Sequence, residues 1–128
     1  MTNDCSGRVA EFMALQHLRL KGYMLIACNY VTGRGTGAGE VDLIVKNQTT
    51  LVFVEVKKRK DITTAAYSIL PKQQERIKKA AEVFLAHHME YKDFDIRFDA
   101  VLVKMPFTIE HIENAFWLVK SPWKIKIL

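Results

Sequence analysis

The chain has 128 residues, 49% apolar and 26% charged, the make-up of one globular domain too short for two independent cores. No apolar run reaches the ~20 residues of a membrane span, and the polar start from Met1 to Arg8 lacks a signal-peptide core, so a cytoplasmic protein is expected. Nineteen Lys and Arg against fourteen Asp and Glu leave a charge of +5, which suits a phosphate-rich partner without requiring one.

In chain order, Ser6 to Lys21 reads as a helix stopped by Gly22, with apolar residues spread widely enough to suggest burial on more than one side. Tyr23 to Tyr30 is a strand pattern. The glycine-rich stretch Gly33 to Gly39 follows, and its GxGxG spacing raises the question of nucleotide binding. A phosphate-cradling loop should open a helix, whereas a strand pattern comes next, so the stretch reads as a hairpin loop. Val41 to Lys46 and Leu51 to Lys57 are two strands joined by a short polar turn, hence antiparallel. Pro71 opens a second helix to about Met89, with Ile77, Ala80, Ala81, Phe84 and His88 along one face. Arg97 to Lys104 is a further strand, and Ile109 to Val119 is the last. The order is αβββαββ.

Cys5 and Cys28 lack metal-binding or redox spacing and are expected to be reduced, structural thiols. The four histidines show no zinc-ligand spacing either.

The chemistry concentrates in the central hairpin. Alternation puts Leu51, Phe53, Glu55 and Lys57 on one face of their strand, so a carboxylate and an ammonium stand at the edge of an apolar surface. Asp42 shares its face with Ile44 in the same way. Two acids and a lysine can meet at one end of the hairpin. Asp42, Glu55 and the Val56 carbonyl offer hard oxygen ligands suited to Mg²⁺ or Mn²⁺. Lys57 beside them can orient or deprotonate a water.

Two helical residues extend the set. Glu11 falls in an apolar sector with Leu15 and Leu18, either as an acid in need of a partner or as a snorkelling surface glutamate. Gln73 falls on the buried stripe of the second helix, where satisfying backbone groups is the simplest role. Lys58, Arg59 and Lys60 form one basic cluster, and Lys72, Arg76, Lys78 and Lys79 another. These are phosphate contacts or solvated faces.

Gly39-Glu40-Val41-Asp42-Leu43-Ile44, followed by Phe53-Val54-Glu55-Val56-Lys57-Lys58-Arg59, resembles the paired signature of the YraN family in the PD-(D/E)XK nuclease superfamily. The similarity continues through Lys72-Gln73 and Arg76, Arg97 to Val101, and Ile109 to Phe116, and begins at Ala10-Glu11 and Gly22-Tyr23. It covers about residues 8 to 116 of a single domain spanning 1–128, leaving a tail from Trp117 to Leu128.

The resemblance implies a restriction-endonuclease-like α/β fold, a mixed sheet flanked by helices. It implies Asp42, Glu55 and Lys57 as catalytic core, with Glu11 and Gln73 added to the site. Asp42, Glu55, Val56 and Glu11 would hold Mg²⁺ or Mn²⁺, and Lys58, Arg59, Lys60, Lys72 and Arg76 would bind nucleic acid. The expected activity is metal-dependent endonuclease-like action on DNA rather than RNA, branched or single-stranded as for Holliday-junction resolvases. The alternative is a nucleic-acid-binding module of the same fold without useful catalysis. A domain this small covers little duplex, so a homodimer or partner protein is also expected.

Overall fold

The computed structural model describes residues 9–33, 39–58, 70–104 and 108–116. Its elements are α1 (Val9–Leu20), β1 (Met24–Thr32), β2 (Gly39–Asn47), β3 (Thr50–Lys58), α2 (Pro71–His87), β4 (Asp95–Lys104) and β5 (Thr108–Phe116), with a 3₁₀ turn at Met89–Tyr91. The αβββαββ order is the one expected, and the strands form one mixed sheet in the order β1-β2-β3-β4-β5. All pairs are antiparallel except β3 with β4, where α2 provides the crossover that a parallel pair needs. No described helix is long and apolar enough to cross a membrane.

The central strands are buried on both faces because a helix lies on each. Toward α2, Ile44, Leu51, Phe53, Phe98, Ala100 and Leu102 pack against Ile77, Ala80, Ala81 and Phe84. Toward α1, Leu43, Val45, Val52, Val54, Val101 and Val103 pack against Ala14, Leu15 and Leu18. The alternation read for β3 therefore holds: its odd positions face α2 and its even positions face α1. α1 does not have the all-round burial expected of it. It buries Glu11, Ala14, Leu15 and Leu18 but exposes Phe12 and Leu20, because it lies on a single sheet face.

α2 approaches β2 very closely at one point. A Cβ on Gly39 would lie 2.6 Å from the Ala80 backbone nitrogen and 2.6 Å from Thr32 Oγ1. The last glycine of the glycine-rich stretch thus serves helix–strand packing, and Thr32 pairs with it across the β1–β2 hairpin. Of the rest of that stretch, Gly33 has a positive φ of 72°, and positions 34–38 lie outside the described residues. Cys28, buried in β1, is disulfide-bonded, which corrects the expectation of a reduced thiol. Cys5, Arg59, Lys60 and the tail from Trp117 lie outside the described residues.

A polar network holds β5 to the α1 face. Asp99, fully buried on β4, accepts from Arg97 Nε at 2.9 Å and Nη2 at 2.8 Å, from His111 Nε2 at 2.7 Å and from the Asn114 N–H at 3.1 Å. Lys21 Nζ lies 2.8 Å from His111 Nδ1, so the ring proton belongs on Nε2, facing Asp99. The β4–β5 register shifts between Phe98 and Ala100, and Asn114 has φ 55°. The carboxylate thus satisfies an amide freed by the bulge. Burial alone would raise the Asp99 pKa. The hydrogen bonds from His111 and Arg97, the guanidinium charge and the Asn114 amide outweigh it and hold the group below the ordinary carboxylate value.

Gly39→Ala should destabilise the protein by about 1–3 kcal/mol, the usual range for overpacking a close contact. Asp99→Ala should cost about 3 kcal/mol or more, because Arg97 and the Asn114 amide lose their acceptor. Urea unfolding measures both, and wild-type midpoints would contradict the respective contacts.

Candidate active site

The site begins where the β2–β3 ladder ends. The last paired residues there are Leu43 and Val54, and the next positions along are Asp42 and Glu55. Instead of continuing the ladder, the Val56 N–H donates to Asp42 Oδ2 at 2.8 Å. That bond fixes the Asp42 carboxylate beside Glu55. Lys57 Nζ lies 3.2 Å from Glu55 Oε2, and their side chains are only 12% and 14% exposed. Three ionisable groups, Asp42, Glu55 and Lys57, thus meet at the open end of the hairpin, as the strand alternation predicts.

They line a cavity of about 230 Å³ together with Glu40, Val56, Gln73, Arg76 and Ile77. α2 supplies the roof. Pro71 occupies the first turn, and Gln73 Oε1 accepts the Leu70 N–H at 3.2 Å, a helix-start bond that satisfies one of the orphan amides. The backbone role expected for Gln73 is therefore present, while the residue still reaches the cavity. With its carbonyl engaged, the side chain offers mainly its NH₂ donors to a ligand.

The remaining site residues divide by location. Lys58 ends β3 and Lys72 lies in the first turn of α2, both exposed and flanking the cavity residues in sequence. Arg76 donates to Glu40 Oε1 across the cavity wall. Glu11 is 4% exposed on α1, the helix on the opposite sheet face, and it does not line the cavity. Among the described residues no three His, Cys, Asp or Glu side chains converge as a metal cluster. Glu40 is the cavity residue that sequence reading passed over; it is two residues from Asp42, but Val41 and Ile44 both pack toward α2, so alternation alone does not place it there.

The acid pair is electrostatically strained. Burial, then the nearby Asp42 charge, raise the Glu55 pKa from 4.5 to about 7, against the opposing pull of Lys57. Hard oxygen donors whose negative charge is only partly relieved by Lys57 fit a divalent cation, and Asp42, Glu55 and the Val56 carbonyl are the groups that would hold it.

A family model described as "Uncharacterised protein family UPF0102" matches residues 10–103. A UPF0102 protein of Paramagnetospirillum magneticum is 44% identical over 86% of this chain and 85% of its own length. One from Rhodopseudomonas palustris is 40% identical over 87% and 79%, and one from Bradyrhizobium diazoefficiens is 39% identical over 87% and 80%. A solved structure described as "Crystal structure of SSO0001" aligns with a TM-score of 0.32 at 15% identity. It covers 84% of this chain and 52% of that one, a likeness too slight to carry an argument.

The raised Glu55 pKa sets a sign for stability against pH. Between 4.5 and about 7 the folded state holds a proton that the unfolded state has released, so metal-free stability should fall as pH rises through that window. The loss should reach up to about 3 kcal/mol. Glu55→Gln should lack this slope and be more stable than wild type above the window. Urea unfolding of both proteins in chelator across the window is the measurement, and parallel curves would remove the strained acid pair.

Proposed function

The chain belongs to the uncharacterised protein family UPF0102, and on the geometry of its acid–lysine cavity we propose that it is a metal-dependent phosphodiesterase acting on nucleic acid. The observation that carries this reading is the enclosed trio of Asp42, Glu55 and Lys57 at the end of the β2–β3 ladder. Two close carboxylates repel, and a fold retains such a pair most readily when a cation is their partner.

Asp42 and Glu55 would hold Mg²⁺ or Mn²⁺, with the Val56 carbonyl as a third oxygen. Bound there, the ion supplies positive charge to a phosphoryl group and acidity to water. The protein's own residues do the rest. The Val56 N–H keeps the Asp42 carboxylate aimed at Glu55. Lys57 orients water and offers its charge to a phosphate oxygen. Gln73 donates from the roof, and Arg76 can grip phosphate through two parallel hydrogen bonds. Lys58 and Lys72 extend a positive flank, with Arg59 and Lys60 next to Lys58 in the chain. Glu11 does not line the cavity, and the scheme is built on the residues that do.

Resemblance to Holliday-junction resolvases makes branched or single-stranded DNA the first substrate to try, ahead of RNA. Such a substrate places the action in the cytoplasm, and a second copy or partner protein would widen the small footprint. A second reading, nucleic-acid binding without catalysis, is favoured by one observation. Lys57 already gives Glu55 an ammonium at 3.2 Å, a counter-charge that needs no metal.

Titration calorimetry with Mg²⁺ and Mn²⁺ separates the two. Asp42→Asn and Glu55→Gln should each remove most cation affinity, because each takes a charged ligand from a site with few. Lys57→Ala should keep cation affinity while slowing cleavage of a four-way junction by about a hundredfold or more. Wild-type cation binding in both acid mutants would exclude the metal site. Cation binding without cleavage of any duplex, single strand or junction would favour the second reading.

A further inference from the structure

One ion pair on the cavity wall engages Arg76, the phosphate-gripping residue of the scheme above, with a carboxylate that the scheme does not use. Glu40 at the start of β2 and Arg76 on α2 face each other, with the guanidinium donating to Glu40 Oε1. Their side chains are 42% and 49% exposed, unlike the enclosed Glu55 and Lys57. The ionisable lining comprises three acids, Glu40, Asp42 and Glu55, against two bases, Lys57 and Arg76. A phosphate approaching this wall therefore meets an acidic surplus, and the side chain best shaped to grip it is already engaged.

That engagement is weak. An exposed ion pair is stabilised little, because water solvates both partners well when they separate. A phosphate offers Arg the same two-oxygen geometry as a carboxylate with more charge, so exchange of one for the other is favourable. The location adds meaning. Gly39 precedes Glu40 and is pressed against Ala80, one helical turn from Arg76, so β2 and α2 cannot drift apart at this point.

We propose that Glu40 is an internal stand-in for a substrate phosphate, holding Arg76 across the cavity mouth until a phosphodiester exchanges with it. Glu40 is then a positioning residue. It keeps the guanidinium extended over the acid–lysine trio and raises the threshold for anions that bring too little charge to displace it. The inference deepens the proposed function and rests on it for the identity of the ligand.

The test is a double-mutant cycle in chelator, where cleavage is off, by fluorescence anisotropy with a short single-stranded oligonucleotide. Glu40→Gln should tighten binding by roughly three- to fivefold, the scale of one exposed ion pair. Arg76→Ala should weaken it, and adding Glu40→Gln to Arg76→Ala should bring no gain. A gain in affinity is a readout that loss of structure would not produce, and thermal melts confirm that all four proteins are folded. Unchanged or weaker binding by Glu40→Gln overturns the inference. So does a gain that persists undiminished without Arg76, since Glu40 would then act only through overall charge. Wild-type cation titration and cleavage assays run beside the cycle. A positive cycle with no cation binding and no cleavage sinks the hydrolase reading and leaves the phosphate exchange standing. Cleavage with a flat cycle does the reverse.

Discussion

The Asp42 carboxylate takes the backbone amide of Val56 at the point where β2 and β3 stop pairing, and the functional end of the molecule is organised around that bond. A ladder that simply continued would satisfy the amide with a carbonyl and leave Asp42 free to turn toward water. Here the side chain replaces the strand partner, so the acid cannot leave without orphaning a half-buried amide. Glu55 is one residue earlier on β3, and its position is set by a strand whose preceding residues, Leu51 to Val54, are fully enclosed. The two carboxylates are close because the backbone leaves them no alternative. Lys57 relieves Glu55 in part, but burial and Asp42 together still outweigh it. Stability is lost locally in exchange for a fixed arrangement of charge.

That loss is sustained by the rest of the sheet. Both helices cover apolar strand faces, and the parallel β3–β4 pair, extending from Thr50–Asp95 to Lys58–Val103, anchors the strand that carries Glu55 and Lys57. The close approach at Gly39 fixes α2 over β2, which brings Gln73 and Arg76 to the cavity. On the opposite face Asp99 gathers Arg97, His111 and a bulged amide into a satisfied network. The contrast between the two faces is informative. Asp99 is surrounded by donors and its pKa falls, whereas Glu55 lacks enough of them and its pKa rises. The first pattern is that of a structural pin, and the second that of a group whose charge the fold leaves only partly compensated.

Much of this was legible in the sequence because it depends on a period of two. Alternation alone placed Glu55 and Lys57 beside Leu51 and Phe53, and the short turn after Asn47 made the hairpin antiparallel. The stripe from Ile77 to Phe84 likewise gave the buried face of α2. What escaped depends on contacts between distant elements. Asp99 reads as one polar residue in an apolar strand until β5 and the Lys21 turn bring His111 and its partners to it. The pairing state of Cys28 has no local signature in the sequence. The breadth of apolar residues on α1 suggested more burial than one sheet face can provide. Glu40 was within reach, since it is two residues from Asp42, but its partner Arg76 is 36 residues away.

The placement of Glu11 decides how many acids the cavity can use. It is buried in the α1 packing layer, on the far side of the sheet from Gln73 and Arg76. Glu11 does not line the cavity, whose carboxylates are Asp42, Glu55 and Glu40. Glu40 is more exposed than Glu55 and is neutralised by Arg76, so it adds little to the strain of the acid pair. On the proposed reading its charge would act instead at the cavity mouth, opposing anions that the interior would attract once it held a cation. A site built this way separates two requirements. On the proposed reading the enclosed pair would select a hard cation by charge density, and the exposed pair would select the anion that can exchange with a carboxylate on arginine. Glu40 and Asp42 both lie on β2, two residues apart, but simple alternation does not bring them together: Val41 and Ile44, three residues apart, both pack toward α2, so the strand departs from its period of two beside Asp42.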